Sequence, residues 1–164
     1  MIDLKEIKNK IITKNNLYFL CVISIIFFLD RYTKLFILNN FTGNTYYLNN
    51  FINLDLVWNT GIGFGLLSSN SPFFYHSITI LIILVIIFLF YSGIKSKFYD
   101  KISFSVIIGG ALGNFYDRVI YNAVPDFIDL HYNNFHWFTF NVADIFITLG
   151  ILAFIMKGFF VKNN

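Results

Sequence analysis

The chain has 164 residues, of which 57% are hydrophobic and only 13% charged, with a mean hydropathy of +0.65, whereas an average soluble domain carries about 25% charged residues. A lone cysteine, Cys21, excludes a disulfide framework and a cysteine-based metal site. The formal charge of +3 comes from basic residues segregated along the chain, which excludes a nucleic-acid-binding patch.

Four segments, approximately 17–38, 73–94, 102–120 and 138–160, are long enough to cross a hydrocarbon core of about 30 Å, which takes about 20 helical residues. The fold class expected is an all-α polytopic membrane protein, one domain over 1–164, with a small β-rich interfacial outer loop. Lys5, Lys8, Lys10 and Lys14 precede the first apolar run, as they would in a signal peptide. No small-residue cleavage site follows, and Asp30, Arg31 and Lys34 interrupt the run, so it reads as a retained first span. The second, "ITILIILVIIFLFY", is apolar throughout its core.

Lys95, Lys97 and Lys101 lie between the second and third segments and Lys157 and Lys162 in the tail, while 39–72 and 119–138 hold no Lys or Arg. By the positive-inside rule both termini are cytoplasmic and the two long loops face outward. The other basic residues, Arg31, Lys34 and Arg118, stand beside carboxylates and read as partners of charge. In the outer loop 39–72, "TYYLNNFINLDLVW" alternates polar and apolar residues, which predicts short interfacial strands, and "NTGIGFG" predicts tight turns. No internal repeat supports an inverted-repeat transporter.

Asp30 and Lys34 are spaced i,i+4 on the first segment; Asn114 and Asp117, and Asn141 and Asp144, are spaced i,i+3 on the third and fourth. Three polar stripes that lipid does not tolerate are expected to converge on one interior site near the outer membrane face. Asp126, on the loop after the third segment, can meet Asp144 there. Two carboxylates in a partly desolvated site share one proton, which supplies a base to activate water and an acid for a leaving group. The bland alternative is a set of buried ion pairs, Asp30 with Lys34 and Asp117 with Arg118, that only fixes helix packing.

Other chemistries lack their residues. H-E-x-x-H and G-x-S-x-G are absent, His131 and His136 sit in an aromatic loop, and no serine has a motif context that would pair it with Lys34. "GGALG" spaces Gly109 and Gly113 for close helix packing.

The motifs "DRYTK" (30–34), "NTGIGFG" (59–65), "GGALGNFYDR" (109–118), "VPDFID" (124–129) and "FNVAD" (140–144), in this order and spacing, resemble those of the lipoprotein signal peptidases (signal peptidase II). The resemblance covers most of the chain. It implies a four-span aspartic endopeptidase of the bacterial inner membrane, acting on diacylglyceryl-modified prolipoproteins just before the lipidated cysteine, with no metal or organic cofactor. It maps the catalytic pair onto Asp126 and Asp144, and substrate-binding or supporting residues onto Asp30, Lys34, Asn59, Gly61, Asn114, Asp117, Arg118 and Asn141. Asp117 is the rival to Asp126. Two departures stand out: Pro125, where an aliphatic residue is usual and where proline would remove a strand hydrogen bond, and Gly63, where alanine is common. The residues also admit a small proton-coupled transporter or channel using the intramembrane aspartates, or a non-catalytic assembly protein.

Overall fold

The first apolar run becomes helical where Thr13 closes its start: the hydroxyl accepts from the Asn16 backbone N–H at 3.1 Å, satisfying one of the amides that a helix leaves open at that end. In the computed structural model, which describes residues 13–41, 43–61, 72–133 and 135–161, this helix is α1 (Lys14–Asn40). Strands β1 (Tyr46–Asn49) and β2 (Ile52–Asn59), helices α2 (Pro72–Lys95) and α3 (Phe98–Tyr121), strands β3 (Val124–Tyr132) and β4 (Phe135–Phe140) and helix α4 (Val142–Val161) follow. Lys5, Lys8, Lys10, Gly63 and Lys162, each used in the sequence reading, lie outside the described residues.

Among the described residues the architecture is four helices with one four-stranded antiparallel sheet in the order β1-β2-β3-β4. The helices and a small sheet are as expected; the sheet is larger than the expected β-rich loop, because 122–141 as well as 41–71 supplies strands and they join into a single sheet. The strands of 119–138 left no alternation in the sequence for a physical reason. β3 is covered on both faces, with Val124, Pro125, Asp126, Phe127 and Asp129 all buried, and a strand buried on both sides loses its period-two signal. The fourth apolar segment begins later than expected. Phe138 to Phe140 end β4, and Asn141 precedes the first helical residue, Val142.

Pro125 is accommodated without loss of the sheet. It lies opposite Trp58 of β2, while pairing of β3 with β4 begins only at Ile128, so on that side the proline has no strand to bond. Among the described residues one helix, α2, is long and apolar enough to cross a membrane.

The third helix is the hub and packs against each of the other three. Phe19 and Ile23 of α1, Ile86 of α2 and Ile108 of α3 form the apolar core at one end. Close approach depends on the glycines of α3. A Cβ on Gly109 would stand 2.8 Å from the Ile26 side chain of α1, one on Gly110 would stand 2.6 Å from the Ala143 carbonyl of α4, and one on Gly113 would strike the Asp30 carboxylate. The buried Lys101 fastens the bundle beside Phe19, donating to the Asn16 side chain of α1 and, at 2.7 Å, to the Ile94 carbonyl of α2.

Candidate active site

Helix α3 stops at Asn122, whose φ of 54° turns the chain out of the helix, and β3 starts two residues later. This short connection places Asp126 beside the end of β2, with rungs Val57 to Asp126 and Asn59 to Val124. After β4 the chain enters α4 directly, so Asp144 lies in the first turn of that helix. The β3–β4 hairpin thus returns the chain to the point where α3 ended.

Asp126 is only 2% exposed, and its hydrogen bonds come from neutral amides. Asn59 Nδ2 donates to Oδ2 at 2.8 Å and Asn141 Nδ2 to Oδ1 at 2.6 Å. Asp144 accepts from Asn114 Nδ2 at 2.8 Å on Oδ1 and from the Asn141 backbone N–H at 3.1 Å on Oδ2. Asn141 therefore touches both carboxylates. Its Oδ1 also accepts from the Asp144 backbone N–H at 3.1 Å, which makes Asn141 and Asp144 a reciprocal cap on α4. The i,i+3 spacing expected to set them on one helix face instead closes the helix start.

The three asparagines have no freedom to turn their amides over. Each carbonyl oxygen faces a group that can only donate: the Gly61 backbone N–H for Asn59 at 2.8 Å, the Asp144 backbone N–H for Asn141, and the Lys34 ammonium for Asn114 at 2.7 Å. Each NH2 must then point at a carboxylate. Burial nevertheless dominates at Asp126 and, with the nearby charge of Asp144, pushes its carboxyl up to about 7, against the opposing effects of the Asn59 and Asn141 hydrogen bonds and of Lys34.

A second group of charges lies behind this one. The Lys34 ammonium uses all three protons, on Asp30 Oδ2 at 2.9 Å, Asn114 Oδ1 at 2.7 Å and Asp117 Oδ2 at 2.7 Å. Arg31 pairs with the other oxygen of Asp117 and lies with its guanidinium 4.7 Å from the Tyr116 ring. Asp30 Oδ1 accepts from the Ala143 backbone N–H at 3.0 Å, so a side chain of α1 holds the N-terminus of the helix that carries Asp144. Asp30, Lys34 and Asp117 are each fully buried.

Arg118 does not pair with Asp117, contrary to expectation. Adjacent residues on a helix point in different directions, and Arg118 turns toward α2, donating to the Gly61 carbonyl and packing 5.3 Å from the Tyr75 ring. Its Nη1 is buried and has no hydrogen-bond partner among the described residues. Arg118 also lines an apolar groove of about 580 Å³ that runs between α2 and α4 over α3, past Ile82, Ile86, Phe104 and Ile151, and that touches Asn114 and Asp144. Gly61 is described, but Ile62 to Gly65 of "NTGIGFG", expected to form tight turns, lie outside the described residues.

The ten residues the resemblance assigned to the site fall in one connected region: Asp126, Asp144, Asn59, Asn114 and Asn141 in the first layer, Asp30, Lys34 and Asp117 behind it, and Gly61 and Arg118 beside the groove. Sequence reasoning did not place Arg31 or Tyr75 in the site. Arg31 left a signal, a cation inside an apolar run next to Asp30, whereas Tyr75 left none. Asp129 stands apart. Three residues beyond Asp126 on a strand, it points to the other face, where it accepts from Asn53 at 3.2 Å and lies 2.7 Å from His136 Nδ1. Among the described residues no three His, Cys, Asp or Glu side chains are grouped to hold a metal ion.

Comparison with known proteins gives the same outline. The family described as signal peptidase (SPase) II matches residues 22–160. A lipoprotein signal peptidase of Pelagibacter ubique (strain HTCC1062) is 49% identical over 159 residues, covering 95% of this chain and 96% of the relative. Another, of Blochmanniella pennsylvanica (strain BPEN), is 42% identical over 156 residues, covering 91% and 94%. A solved bacterial membrane enzyme superposes with a TM-score of 0.70 at 30% identity, over 85% of this chain and 86% of its own. With a family match across nearly the whole helical bundle and relatives aligned end to end, this chain belongs to the signal peptidase II family.

Proposed function

We propose that the protein is an aspartic endopeptidase of the bacterial inner membrane that removes the signal peptide from diacylglyceryl-modified prolipoproteins, cutting before the lipidated cysteine. One observation carries the reading: two buried carboxylates, Asp126 and Asp144, are linked through Asn141 at the border of an apolar groove. In this reading the four helices span the membrane with both termini in the cytoplasm, and the sheet and the carboxylates lie toward the outer face. The membrane-enzyme neighbours support that placement, as does the clustering of lysines away from the sheet.

The chemistry follows from one proton shared between two acids. The ionised member takes a proton from a water held between them as its oxygen attacks the scissile carbonyl; the protonated member then supplies the leaving amine. Asn59, Asn114 and Asn141 hold the carboxylates in place without a direct ion pair, so the proton stays exchangeable within the pair. The unpartnered Nη1 of Arg118 is available to a substrate carbonyl. The groove accepts an apolar segment or an acyl chain that never has to leave lipid, and the diacylglyceryl group therefore contributes to recognition.

The test is cleavage by the reconstituted protein of one preprotein with and without diacylglyceryl modification. Cleavage of the modified form at least tenfold faster is expected. Equal rates remove the lipid from the reading, and cleavage of neither removes the peptidase.

A further inference from the structure

Among the described residues the two carboxylates of the site accept two hydrogen bonds each, yet what stands behind the donors differs. On Asp126 both donors are amides oriented by neutral backbone N–H groups, of Gly61 for Asn59 and of Asp144 for Asn141. On Asp144 one donor, Asn114, is oriented by the Lys34 ammonium, and the carboxylate lies in the first turn of α4, where the positive end of the helix dipole acts on it. An amide between a cation and a carboxylate is polarised along its length, so its N–H groups bind an anion more strongly than those of an amide facing a neutral partner.

We infer that Lys34 is a positioning residue of the pair: it fixes and polarises Asn114, and thereby places the shared proton on Asp126 and leaves Asp144 as the base. The inference rests on the aspartic reading above and assigns the two acids their separate roles. Lys34 donates no hydrogen bond to either carboxylate of the pair; its three protons go to Asp30, Asn114 and Asp117. Its charge reaches both carboxylates through space, and its one hydrogen-bonded route to the pair runs through Asn114 to Asp144. The remaining charges around the pair are Asp30 and Arg31 on α1 and Asp117 and Arg118 on α3. β2 contributes the neutral Asn59 and α2 the neutral Tyr75, while Asp129, His131 and His136 gather on the opposite face of β3. Asp30 and Asp117 are each engaged by a cation, so neither cancels the link from Lys34 to Asn114.

The experiment compares wild type with Asn114→Leu and Lys34→Met. Asn114→Leu keeps every buried charge and a side chain of the same shape while cutting the link. Two quantities are read in the same detergent: the pH midpoint of the protonated-carboxyl infrared band without substrate, and the acidic limb of the pH–rate profile on a diacylglyceryl-modified preprotein. Both are expected to move up by about one pH unit in Asn114→Leu, and in the same direction in Lys34→Met. A residue that only supports packing lowers yield or rate and leaves both midpoints where they were. Folded Asn114→Leu with unmoved midpoints overturns the inference, and so does a shift in Lys34→Met that Asn114→Leu lacks. Should Lys34→Met fail to fold, Asn114→Leu decides alone. The infrared midpoint needs no turnover, so an enzyme that cleaves nothing but titrates as expected refutes the peptidase reading and not the proton assignment.

Discussion

Four buried carboxylates meet in this molecule, and two different environments hold them. Asp30 and Asp117 each face a cation, Lys34 for one and Lys34 with Arg31 for the other, so that two negative charges meet two positive ones. Asp126 and Asp144 face asparagine amides and backbone N–H groups. A carboxylate clamped by an ammonium has its oxygens committed to that partner and serves as structure. One held by neutral donors keeps its position while its proton remains exchangeable. A buried acid becomes useful for chemistry through the neutrality of its partners, and the cation cluster next to it supplies rigidity.

Breaking the reactive pair should have the largest effect. Asp144→Asn is expected to lower turnover by about 10³-fold or more while the protein stays folded, because an amide cannot take the proton of water; a reconstituted cleavage assay with a thermal melt reads both. Breaking the cation cluster acts on stability instead. Asp117→Asn leaves Arg31 and Lys34 short of a buried partner and should cost about 3–5 kcal/mol of unfolding free energy. Binding of a substrate-like peptide should restore part of its turnover. Both quantities are read from denaturation with and without the peptide.

Gly113→Ala sharpens the boundary between the regions. The added methyl would strike the Asp30 carboxylate, which cannot yield cheaply because Lys34 and the Ala143 N–H hold it. Overpacking should cost about 1–3 kcal/mol and also lower turnover, since Asp30 anchors the turn that carries Asp144; a melt and a rate measured on one preparation check it.

The smallest effect is the dependence on pH. With Asp126 pushed up to about 7 by burial and by the charge of Asp144, the pair loses its shared proton as pH rises through that value. Turnover should then fall by about tenfold per unit on the alkaline side. The sign for stability runs the same way. The folded protein holds this proton more tightly than the unfolded chain, whose carboxyl has the ordinary value of 3.8. The contribution of Asp126 is therefore fully present below 3.8 and lost as pH rises through about 7. A stability profile across that window, compared with that of Asp126→Asn, isolates it.

Much of the site was legible because ionisable residues in apolar runs have few places to go. Asp30, Lys34, Asn114 and Asp117 announced themselves by helical spacing, and the structure brings them together on Lys34. The partner of Asp117 was misread because sequence adjacency to Arg118 is visible while Arg31, 86 positions away, becomes a neighbour only when α1 and α3 pack. The helices were legible from apolarity to within a few residues, except at α4, where Phe138, Phe140 and Val142 continue one apolar pattern across a strand, a cap and a helix. The strand β3 was not legible, because its two buried faces remove the alternation and put a proline and two acids where a strand pattern would have apolar residues. The choice between Asp126 and Asp117 lay beyond spacing. It depends on whether the partners are amides or cations, which only the fold determines.

The account stands or falls on that choice, and one paired measurement addresses it: turnover of a diacylglyceryl-modified preprotein and melting temperature for Asp126→Asn and Asp117→Asn in the same detergent. Asp126→Asn is predicted to be folded, able to bind a substrate-like peptide, and inactive. Asp117→Asn is predicted to melt lower and to regain part of its turnover when ligand stabilises it. A stable but inactive Asp117→Asn beside an Asp126→Asn that retains substantial turnover would contradict the account and move the catalytic water to the cation cluster between α1 and α3.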